Sequence, residues 1–250
     1  MHPINKILSY FGVQLYKSSR QAGFPAEFRR RYNDDLKALL ANPPSGFKIF
    51  SEIMYEKGIH PQNSVDAECS FVARHINRIR PESILDIGSY RHFIFGLLAH
   101  YSITTLDVRP RKTMLDTEKV VVGDAKNLPF KNESFNLVLS LCTLEHLGLG
   151  RYGDEIDFDA DKKALREIAR VLKSGGSFIF TTEITNTEPQ IAFNSHKIYD
   201  HNVIQKLCAE ANLFLIEEKY FSRSQNDYCS LAEVTSEPKK RDVYMGLWEK

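Results

Sequence analysis

Acidic residues at the ends of two short apolar runs are the side chains in this sequence best suited to holding a nucleoside. The run at residues 83–87 contains Asp86 and is followed by Gly88. A glycine at this point lets the backbone turn sharply and lets a ligand approach without a Cβ in the way. Asp107 lies 21 positions after Asp86 at the end of the next run. That spacing suits a carboxylate that accepts hydrogen bonds from both hydroxyls of a ribose.

A third acidic residue repeats the pattern further along the chain. Asp124 follows three valines and Gly123, and Ala125 comes next. From residue 83 onward, β-rich runs of this kind alternate with helical patterns, which predicts a parallel sheet with helices on both faces. The strands are expected at residues 83–87, 103–108, 120–123, 135–141, 177–182, 213–220 and 228–234.

Two helices and three regions complete the expected organisation. Apolar residues recur at helical spacing over residues 161–172 and 200–211, and Gly175 with Gly176 provides a stop after the first of these. We expect a mainly helical N-terminal extension over residues 1–80, a ligand-binding domain over residues 81–236 and an exposed tail over residues 237–250. The fold class is therefore α/β, with a seven-stranded, mostly parallel sheet.

The ordered set of motifs over roughly residues 81–235 resembles class I S-adenosylmethionine (SAM)-dependent methyltransferases. The motifs are Leu-Asp-x-Gly at 85–88, Leu-Asp-Val at 106–108, Gly-Asp-Ala-x-x-Leu-Pro-Phe at 123–130, Phe-Asn-Leu-Val at 135–138, Glu-His at 145–146 and Glu-x-x-Arg-Val-Leu-Lys-x-Gly-Gly at 167–176. The resemblance implies a Rossmann-like fold and SAM as cofactor. A nicotinamide dehydrogenase fits less well, because the Gly-Asp-Ala and Lys-x-Gly-Gly elements are typical of the methyltransferases.

The same resemblance implies a role for each matching residue. Asp86 and Gly88 would lie at the methionine end of SAM, and Asp107 would hold the ribose. Asp124 would meet the adenine amino group, and Ala125 would offer its backbone beside the ring. The other cofactor contacts that we expect are Ser89, Tyr90, Val108, Leu141 and Cys142.

One motif departs from the family pattern. Methyltransferases of this class usually have Gly-x-Gly-x-Gly after the first strand, whereas this chain has Tyr90 and His92 at the second and third glycine positions. Two outcomes are open at this point. The larger side chains narrow the methionine pocket, or Tyr90 and Arg91 compensate by binding the methionine carboxylate.

A second, narrower resemblance concerns the acceptor. Residues 145–154 and 194–199 resemble an uncharacterised methyltransferase-like family associated with bacterial surface-polysaccharide synthesis. It implies a glycan or sugar-nucleotide acceptor and methylation of a sugar hydroxyl. Independently, the glycine-rich segment after the fourth strand lies where α/β sheets place their substrates. The substrate contacts that we expect are Arg151, Tyr152, Asp154 and Tyr199, although Tyr199 equally suits a packed residue at a helix start.

Two histidines are the candidate catalytic bases. Methyl transfer from a sulfonium is an in-line displacement, so the enzyme aligns the acceptor and removes a proton if the acceptor is a hydroxyl. His146 and His196 suit this role because imidazole titrates near neutral pH, and Glu145 or Asp154 would orient one of them. The alternative is that either histidine only braces the loop.

Composition narrows the classes of partner. The 33 basic and 32 acidic residues nearly cancel, which makes a nucleic-acid partner unlikely. No apolar run approaches the roughly 20 residues of a membrane span, and the first residues lack a secretory pattern, so we expect a cytoplasmic protein. Residues 4–11 suit an amphipathic helix, which leaves peripheral membrane contact or a homodimer open. The four cysteines are widely scattered and form no C-x-x-C pair, so the sequence predicts neither a zinc site nor a disulfide. The acidic residues at 154–161 alternate as in a calcium-binding loop, but the glycine and glutamate that such a loop requires are misplaced.

These observations lead to three hypotheses. The first is a SAM-dependent methyltransferase acting on a small-molecule or glycan acceptor, with sugar O-methylation in polysaccharide biosynthesis as its specific form. The second is a non-catalytic protein of the same fold that serves as a scaffold or regulator in a biosynthetic complex. The third is an RNA or protein methyltransferase, which requires a continuous basic cleft beside the cofactor.

Overall fold

The computed structural model describes residues 24–55, 62–237 and 239–250, and the chain divides into two units at residue 61. In the first unit, helix α1 (Ala26–Ala41) begins after Pro25 and has no buried residue. Phe28 and Tyr55 pack together with ring centroids 4.4 Å apart. The amphipathic helix expected at residues 4–11 lies outside the described residues.

The second unit begins earlier than the boundary expected at residue 80. It starts at Gln62 and includes helix α2 (Ser64–Ile79). Asn63 caps this helix, and its side chain exchanges hydrogen bonds with Asp66 in a capping box. The apolar side of α2 is buried in the core of this second unit. Residues 62–80 therefore belong with the sheet rather than with the N-terminal extension.

The core of the second unit is a sheet of eight strands among the described residues. Its order is β3-β2-β1-β4-β5-β10-β8-β9. Strands β3 to β5 in that order are parallel, whereas β10 runs antiparallel to both β5 and β8, and β9 runs antiparallel to β8. The strands are β1 (Ile84–Ile87), β2 (Ile103–Asp107), β3 (Glu118–Val122), β4 (Phe135–Leu141), β5 (Leu172–Ile184), β8 (Phe214–Ser222), β9 (Asp227–Cys229) and β10 (Asp242–Glu249). The expected mostly parallel α/β sheet is confirmed, with eight strands instead of seven.

The C-terminal part of the sheet differs most from the strands expected from the sequence. The strand expected at 228–234 is only the short edge strand β9 followed by a 3-10 turn at Leu231–Glu233. The expected tail at 237–250 instead contains β10, which is buried between β5 and β8. Its run from residue 243 to 248 carries no charge, as is typical of a strand buried on both faces.

Helices cover both faces of the sheet. Helix α4 (Ala160–Val171) and helix α5 (His201–Glu210) pack on one face, as expected, and Asp200 caps α5 by accepting a hydrogen bond from Val203 N. Helix α2 and the short helix α3 (Arg91–Leu98) pack on the other face. A small hairpin of β6 (Gln190–Ala192) and β7 (His196–Ile198) lies beside the 3-10 turn at Leu144–His146. No helix in residues 24–55, 62–237 or 239–250 is long and apolar enough to cross a membrane.

Candidate functional site

An open cleft lies at the carboxyl ends of β1, β2 and β4. Its walls come from the ends of these strands and from the loops that follow them. The carboxyl edge of a parallel sheet is where α/β folds bind their ligands. Of the residues expected in the site, the cleft is lined by Gly88, Asp107, Val108, Asp124, Ala125, Cys142, His146, Tyr152 and Asp154.

The turn after β1 is closely packed and held by hydrogen bonds. Gly88 has a φ of +65°, and a Cβ there would lie 3.0 Å from Thr143 Cγ2. Ser89 N donates to Asp86 Oδ1 at 3.2 Å, and Ser89 Oγ accepts from Leu141 N at 3.1 Å. Asp86, Ser89 and Leu141 do not line the cleft. They shape the turn that brings Gly88 to the ligand, and burial raises the pKa of Asp86 to about 6.

Asp107 faces the cleft as a carboxylate held by a neighbouring cation. Arg109 donates to it from its backbone N at 2.9 Å and from its guanidinium Nε and Nη2 at 3.1 and 3.2 Å. Burial opposes ionisation, but these hydrogen bonds outweigh it and lower the pKa of Asp107. The Arg109 side chain is 62% exposed. An exposed ion pair of this kind stabilises by about 0–1 kcal/mol, so ribose hydroxyls can displace it at small cost.

Asp124 and Ala125 form the neighbouring wall of the cleft. Asp124 Oδ1 accepts a hydrogen bond from Lys126 N at 2.8 Å, which fixes the turn after β3. The Asp124 side chain is 47% exposed, so its carboxylate remains accessible from the cleft. Ala125 is buried and small, which leaves flat space beside its backbone. This geometry suits a planar base with an exocyclic amino group.

The residues that replace the family's glycines do not bind in the cleft. Tyr90 donates its phenol hydrogen to Glu68, at 3.3 Å from either carboxylate oxygen, and does not line the cleft. His92 is exposed on α3. The expectation that Tyr90 is a cofactor contact is therefore wrong, because a buried carboxylate takes its hydroxyl.

Arg91 also has an acidic partner within the fold. Its guanidinium pairs with Glu118, which Arg111 Nη2 contacts at 2.6 Å. Burial disfavours the Glu118 carboxylate, yet the hydrogen bonds from Arg111 and Arg91 hold the pKa of Glu118 at about 2. This buried ion cluster fixes both arginines. The structure thus gives Arg91 a buried carboxylate as its partner, and Arg91 does not line the cleft.

His146 is the histidine that reaches the cleft. Its Nδ1 lies 2.6 Å from the carbonyl oxygen of Ser195, so Nδ1 carries the hydrogen and Nε2 is left as an acceptor. Burial lowers the pKa of His146, with Arg151 and His196 adding to the effect, so the ring is neutral at pH 7. A neutral imidazole with an acceptor nitrogen is the form required of a general base, and Arg151 Nη1 is the donor that a substrate hydroxyl would have to displace from Nε2, at 3.4 Å.

His196 and Glu145 lie behind His146 and not in the cleft. The ring of His196 is 6.1 Å from that of His146, and its Nε2 lies 3.4 Å from Glu183 Oε2. Glu145 is 1% exposed, and its Oε2 has no hydrogen-bond partner among the described residues. Neither side chain lines the cleft, so the structure does not place either against a ligand.

Of the expected substrate residues, Tyr152 and Asp154 line the cleft, and the guanidinium of Arg109 lies 4.7 Å from the centre of the Tyr152 ring. Asp154 uses its carboxylate to accept hydrogen bonds from Gly150 N and Tyr152 N, which closes the loop after the 3-10 turn. Arg151 does not line the cleft but lies within 3.4 Å of His146 Nε2. Tyr199 is buried and donates its hydroxyl hydrogen to Asp161 Oδ2 at 2.9 Å. Its expected role in substrate binding is wrong, because it belongs to the core.

Several cleft residues were not predicted from the sequence. They are Arg109, Lys126, Thr143, Leu147 and Gly148. Gly148 could have been singled out, because it lies in the glycine-rich segment after Glu145-His146. Arg109 and Lys126 carry no local signal, since surface cations are common in loops.

The buried carboxyl of Glu145 gives a prediction about stability. Burial, with Glu183 and Glu68 nearby, raises the pKa of Glu145 to about 8, above the 4.5 of an exposed glutamate. Folding therefore takes up a proton between these values, and the free energy of unfolding falls as pH rises from about 4.5 to 8. We expect Glu145→Gln to stabilise the protein at pH 8.5 by more than about 1 kcal/mol, or roughly 2–4 °C in Tm, and much less at pH 5.

Thermal unfolding at both pH values measures this effect, and Glu155→Gln is the matched control because Glu155 is an exposed acid in the adjacent loop. Equal shifts at pH 5 and pH 8.5 would contradict the assigned titration.

Comparison with known proteins agrees with this geometry. Residues 85–180 match the family model described as a methyltransferase domain. The similarity covers somewhat less than half of the chain. The matched segment contains the cleft residues from Gly88 to Asp154, and the domain supports SAM as the cofactor. The ionised Asp107, the close approach at Gly88 and the accessible Asp124 fit that cofactor.

Solved structures share the fold of this chain. The Burkholderia thailandensis 1,6-didemethyltoxoflavin-N1-methyltransferase, solved with 1,6-didemethyltoxoflavin and S-adenosylhomocysteine, is 12% identical with a TM-score of 0.56, and 94% of this chain and 98% of that chain align. The [4+2]-cyclase SpnF is 14% identical with a TM-score of 0.55, and 90% of this chain and 96% of that chain align. At these identities the likeness extends to the fold alone.

Two curated relatives are uncharacterised proteins of Methanocaldococcus jannaschii. MJ1252 is 46% identical over 63 residues, which cover 25% of this chain and 20% of the relative. MJ0638 is 27% identical over 137 residues, which cover 53% of this chain and 55% of the relative. The chain thus spans about a fifth and just over half of the lengths of these two relatives.

Proposed function

We propose that the protein is a SAM-dependent methyltransferase that methylates a hydroxyl of a small-molecule or glycan acceptor, with a sugar hydroxyl as the specific target. The observation that carries the proposal is the cleft itself. Asp107 and Asp124 come from different strand ends and line one cavity that also contains the neutral His146. A nucleoside subsite and a general base therefore share one opening.

The residues of this chain have distinct roles in such a reaction. Bound SAM supplies a methyl carbon attached to a positively charged sulfur. His146 Nε2 takes the proton of the acceptor hydroxyl as its oxygen bonds to that carbon and the carbon–sulfur bond breaks. The electron pair stays on sulfur, which leaves S-adenosylhomocysteine neutral at that atom. The Ser195 carbonyl, which accepts from Nδ1, keeps the ring in the required tautomer.

Binding of the reaction product tests the cofactor part of this proposal. Calorimetry with S-adenosylhomocysteine should give one site per chain with a Kd in the micromolar range. Transfer of labelled methyl from SAM to a panel of sugar nucleotides and oligosaccharides then tests the acceptor class. Absence of binding would favour the hypothesis of a non-catalytic scaffold. The observation that supports this hypothesis is that the Arg109 guanidinium already donates two hydrogen bonds to the Asp107 carboxylate.

The catalytic base gives a second prediction. We expect His146→Ala to lower kcat about 100-fold or more, within the range for loss of a general base, while S-adenosylhomocysteine binding changes little. Because the pKa of His146 is lowered from 6.5, the wild-type rate should be constant above pH 7 and fall in acid. Single-turnover methyl transfer measures both effects.

His92→Ala is the matched control for this variant, since His92 is an exposed histidine outside the cleft. If the two variants had equal rates, His146 would not be the base and would only brace the loop.

A further inference from the structure

A second pocket opens at the same edge of the sheet as the cleft. It is lined by Arg223, Ser224, Thr235, Lys239, Lys240, Arg241 and Asp242, and we call it the basic pocket. Strand β8 ends at Ser222, and β10 begins at Asp242, which pairs with Ile184 at the carboxyl end of β5. The basic pocket therefore lies at the carboxyl ends of the strands, beyond β5.

The acidic residue that lines the basic pocket, Asp242, does not pair with its cationic side chains, whereas Lys240 forms an ion pair with the exposed Glu237 at 2.6 Å. Asp242 is buried, and its carboxylate accepts hydrogen bonds from Arg223 N at 2.8 Å and Thr235 N at 2.7 Å. These two hydrogen bonds connect the backbone segments on either side of the pocket. The Asp242 carboxylate is therefore bonded to backbone N–H groups and not to a lysine or arginine side chain.

The two arginines of the basic pocket share one carboxylate as their ion-pair partner. Glu183 lies 3.1 Å from Arg223 Nη1 and 2.6 Å from Arg241 Nε, and only 9% of its side chain is exposed. Each guanidinium has five N–H donors in a planar fork, so both retain donors beyond those directed at Glu183. Both arginine side chains are 35% exposed, which leaves them accessible from solvent. Planar donors of this kind match the oxygens of a phosphoryl group.

The basic pocket is connected to the cleft by a row of polar side chains. His146 lines the cleft, the ring of His196 lies 6.1 Å from it, and Glu183 follows at 3.4 Å from His196 Nε2. Glu183 then contacts the arginines of the pocket. Strands in a sheet are about 4.8 Å apart, and β10 is two strands from β4, so the nearest strands of the two sites are about 10 Å apart.

We propose that the basic pocket binds a phosphate or diphosphate group of the methyl acceptor, so that the acceptor is a phosphorylated compound. This proposal rests on the proposed function. The anionic group occupies the donors of Arg223 and Arg241, and Lys239 and Lys240 add positive charge, with Lys240 exchanging Glu237 for the anion. The rest of the acceptor extends along the sheet edge to His146. The pocket is thereby a specificity site, separate from the groups that carry out methyl transfer.

Pyrophosphate is the probe that tests the pocket. We expect calorimetry to detect pyrophosphate binding to the wild-type protein and to show a loss of about tenfold or more in Lys239→Gln/Lys240→Gln, because charge-assisted hydrogen bonds to the anion are lost. Arg223→Gln/Arg241→Gln should lose more. The lysine pair leaves Glu183 with both arginine partners, so it tests the pocket even if the arginine pair destabilises the fold.

The matched control is Lys206→Gln, because Lys206 is a 75% exposed lysine on α5 outside the pocket. Unchanged pyrophosphate affinity in the lysine pair, or an equal loss in Lys206→Gln, overturns the proposal. All variants should keep wild-type affinity for S-adenosylhomocysteine. If the wild-type protein binds pyrophosphate in the pocket but not S-adenosylhomocysteine, the proposed function is wrong while the anion site remains.

A nucleic acid is the competing source of phosphate. In that case a single-stranded oligonucleotide would bind more tightly than pyrophosphate, and its affinity would fall steeply with salt. Tighter binding of the oligonucleotide overturns the assignment of a small phosphorylated acceptor.

Discussion

Replacing Asp107 by alanine is expected to weaken S-adenosylhomocysteine binding about 100-fold or more. The Asp107 carboxylate faces the cleft, and Arg109 keeps its pKa low, so it is ionised throughout the usual assay range. A ribose offers two hydroxyls to it, and each hydrogen bond to a charged group contributes roughly 1.5–3 kcal/mol. Loss of both corresponds to about two or more factors of ten in Kd. Calorimetry with S-adenosylhomocysteine measures the change directly.

Two further variants make this result specific. Asp107→Asn keeps one oxygen acceptor and should bind with intermediate affinity. Asp159→Ala removes an exposed carboxylate that pairs with Lys162 on α4, outside the cleft, and should bind like the wild type. If Asp107→Ala bound within about threefold of the wild-type affinity, which is about 0.6 kcal/mol, the nucleoside would have to lie elsewhere.

A substitution at Gly148 is expected to have the largest effect on stability. Gly148 has a φ of +70°, and a Cβ there would lie 2.0 Å from the carbonyl oxygen of Asp157 and 2.7 Å from Ala160 Cβ. Gly148 O also accepts a hydrogen bond from Asp157 N at 2.9 Å, so the two backbone segments are joined. Backbone atoms cannot move aside as a side-chain rotamer can. We expect Gly148→Ala to lower the free energy of unfolding by more than about 3 kcal/mol. The steric overlap of the new Cβ adds to the cost of a left-handed backbone conformation at a residue other than glycine.

Gly153→Ala is the matched control, because it lies in the same loop. Its φ is +82°, yet nothing lies within 4 Å of a Cβ at that position. It should cost only the penalty for a left-handed backbone, about 1–2 kcal/mol. Urea unfolding followed by fluorescence of the buried Trp248, the only tryptophan in the chain, measures both variants. Equal losses would mean that the loop moves to relieve the overlap at Gly148.

The sequence predicted the parallel part of the sheet well because each of its strands ends in its own motif. Asp107 and Asp124 could be expected at one edge, since parallel strands place their carboxyl ends together, and the structure brings both to one cleft. The antiparallel strand β10 was missed for the opposite reason. Its apolar run follows a polar segment at 236–241 and shows no alternation of apolar and polar residues. Its uninterrupted apolar character was therefore the only sign of a strand.

The partners of buried charges could not be predicted from the sequence. Glu68 comes from α2, yet it accepts hydrogen bonds from Cys142 and Thr181, which follow or lie in β4 and β5. The pairing of Arg91 with Glu118 likewise joins α3 to β3. Such contacts depend on which elements pack together, and no local spacing encodes them. Tyr90, Arg91 and Tyr199 each have a buried acidic partner and lie outside the cleft, which their positions in the sequence did not indicate.

The position of β10 also determines the order in which the sheet can assemble. Strands β1 to β5 form the parallel part of the sheet, and all five lie within residues 84–184. They can therefore pair with one another before β10 pairs with β5. Strands β8 and β9 reach that part of the sheet only through β10, which pairs with β5 across about 60 residues of chain. During folding, the half of the molecule that holds the nucleoside can therefore form first. The walls around Arg223 and Arg241 close only when residues 242–249 have entered the sheet.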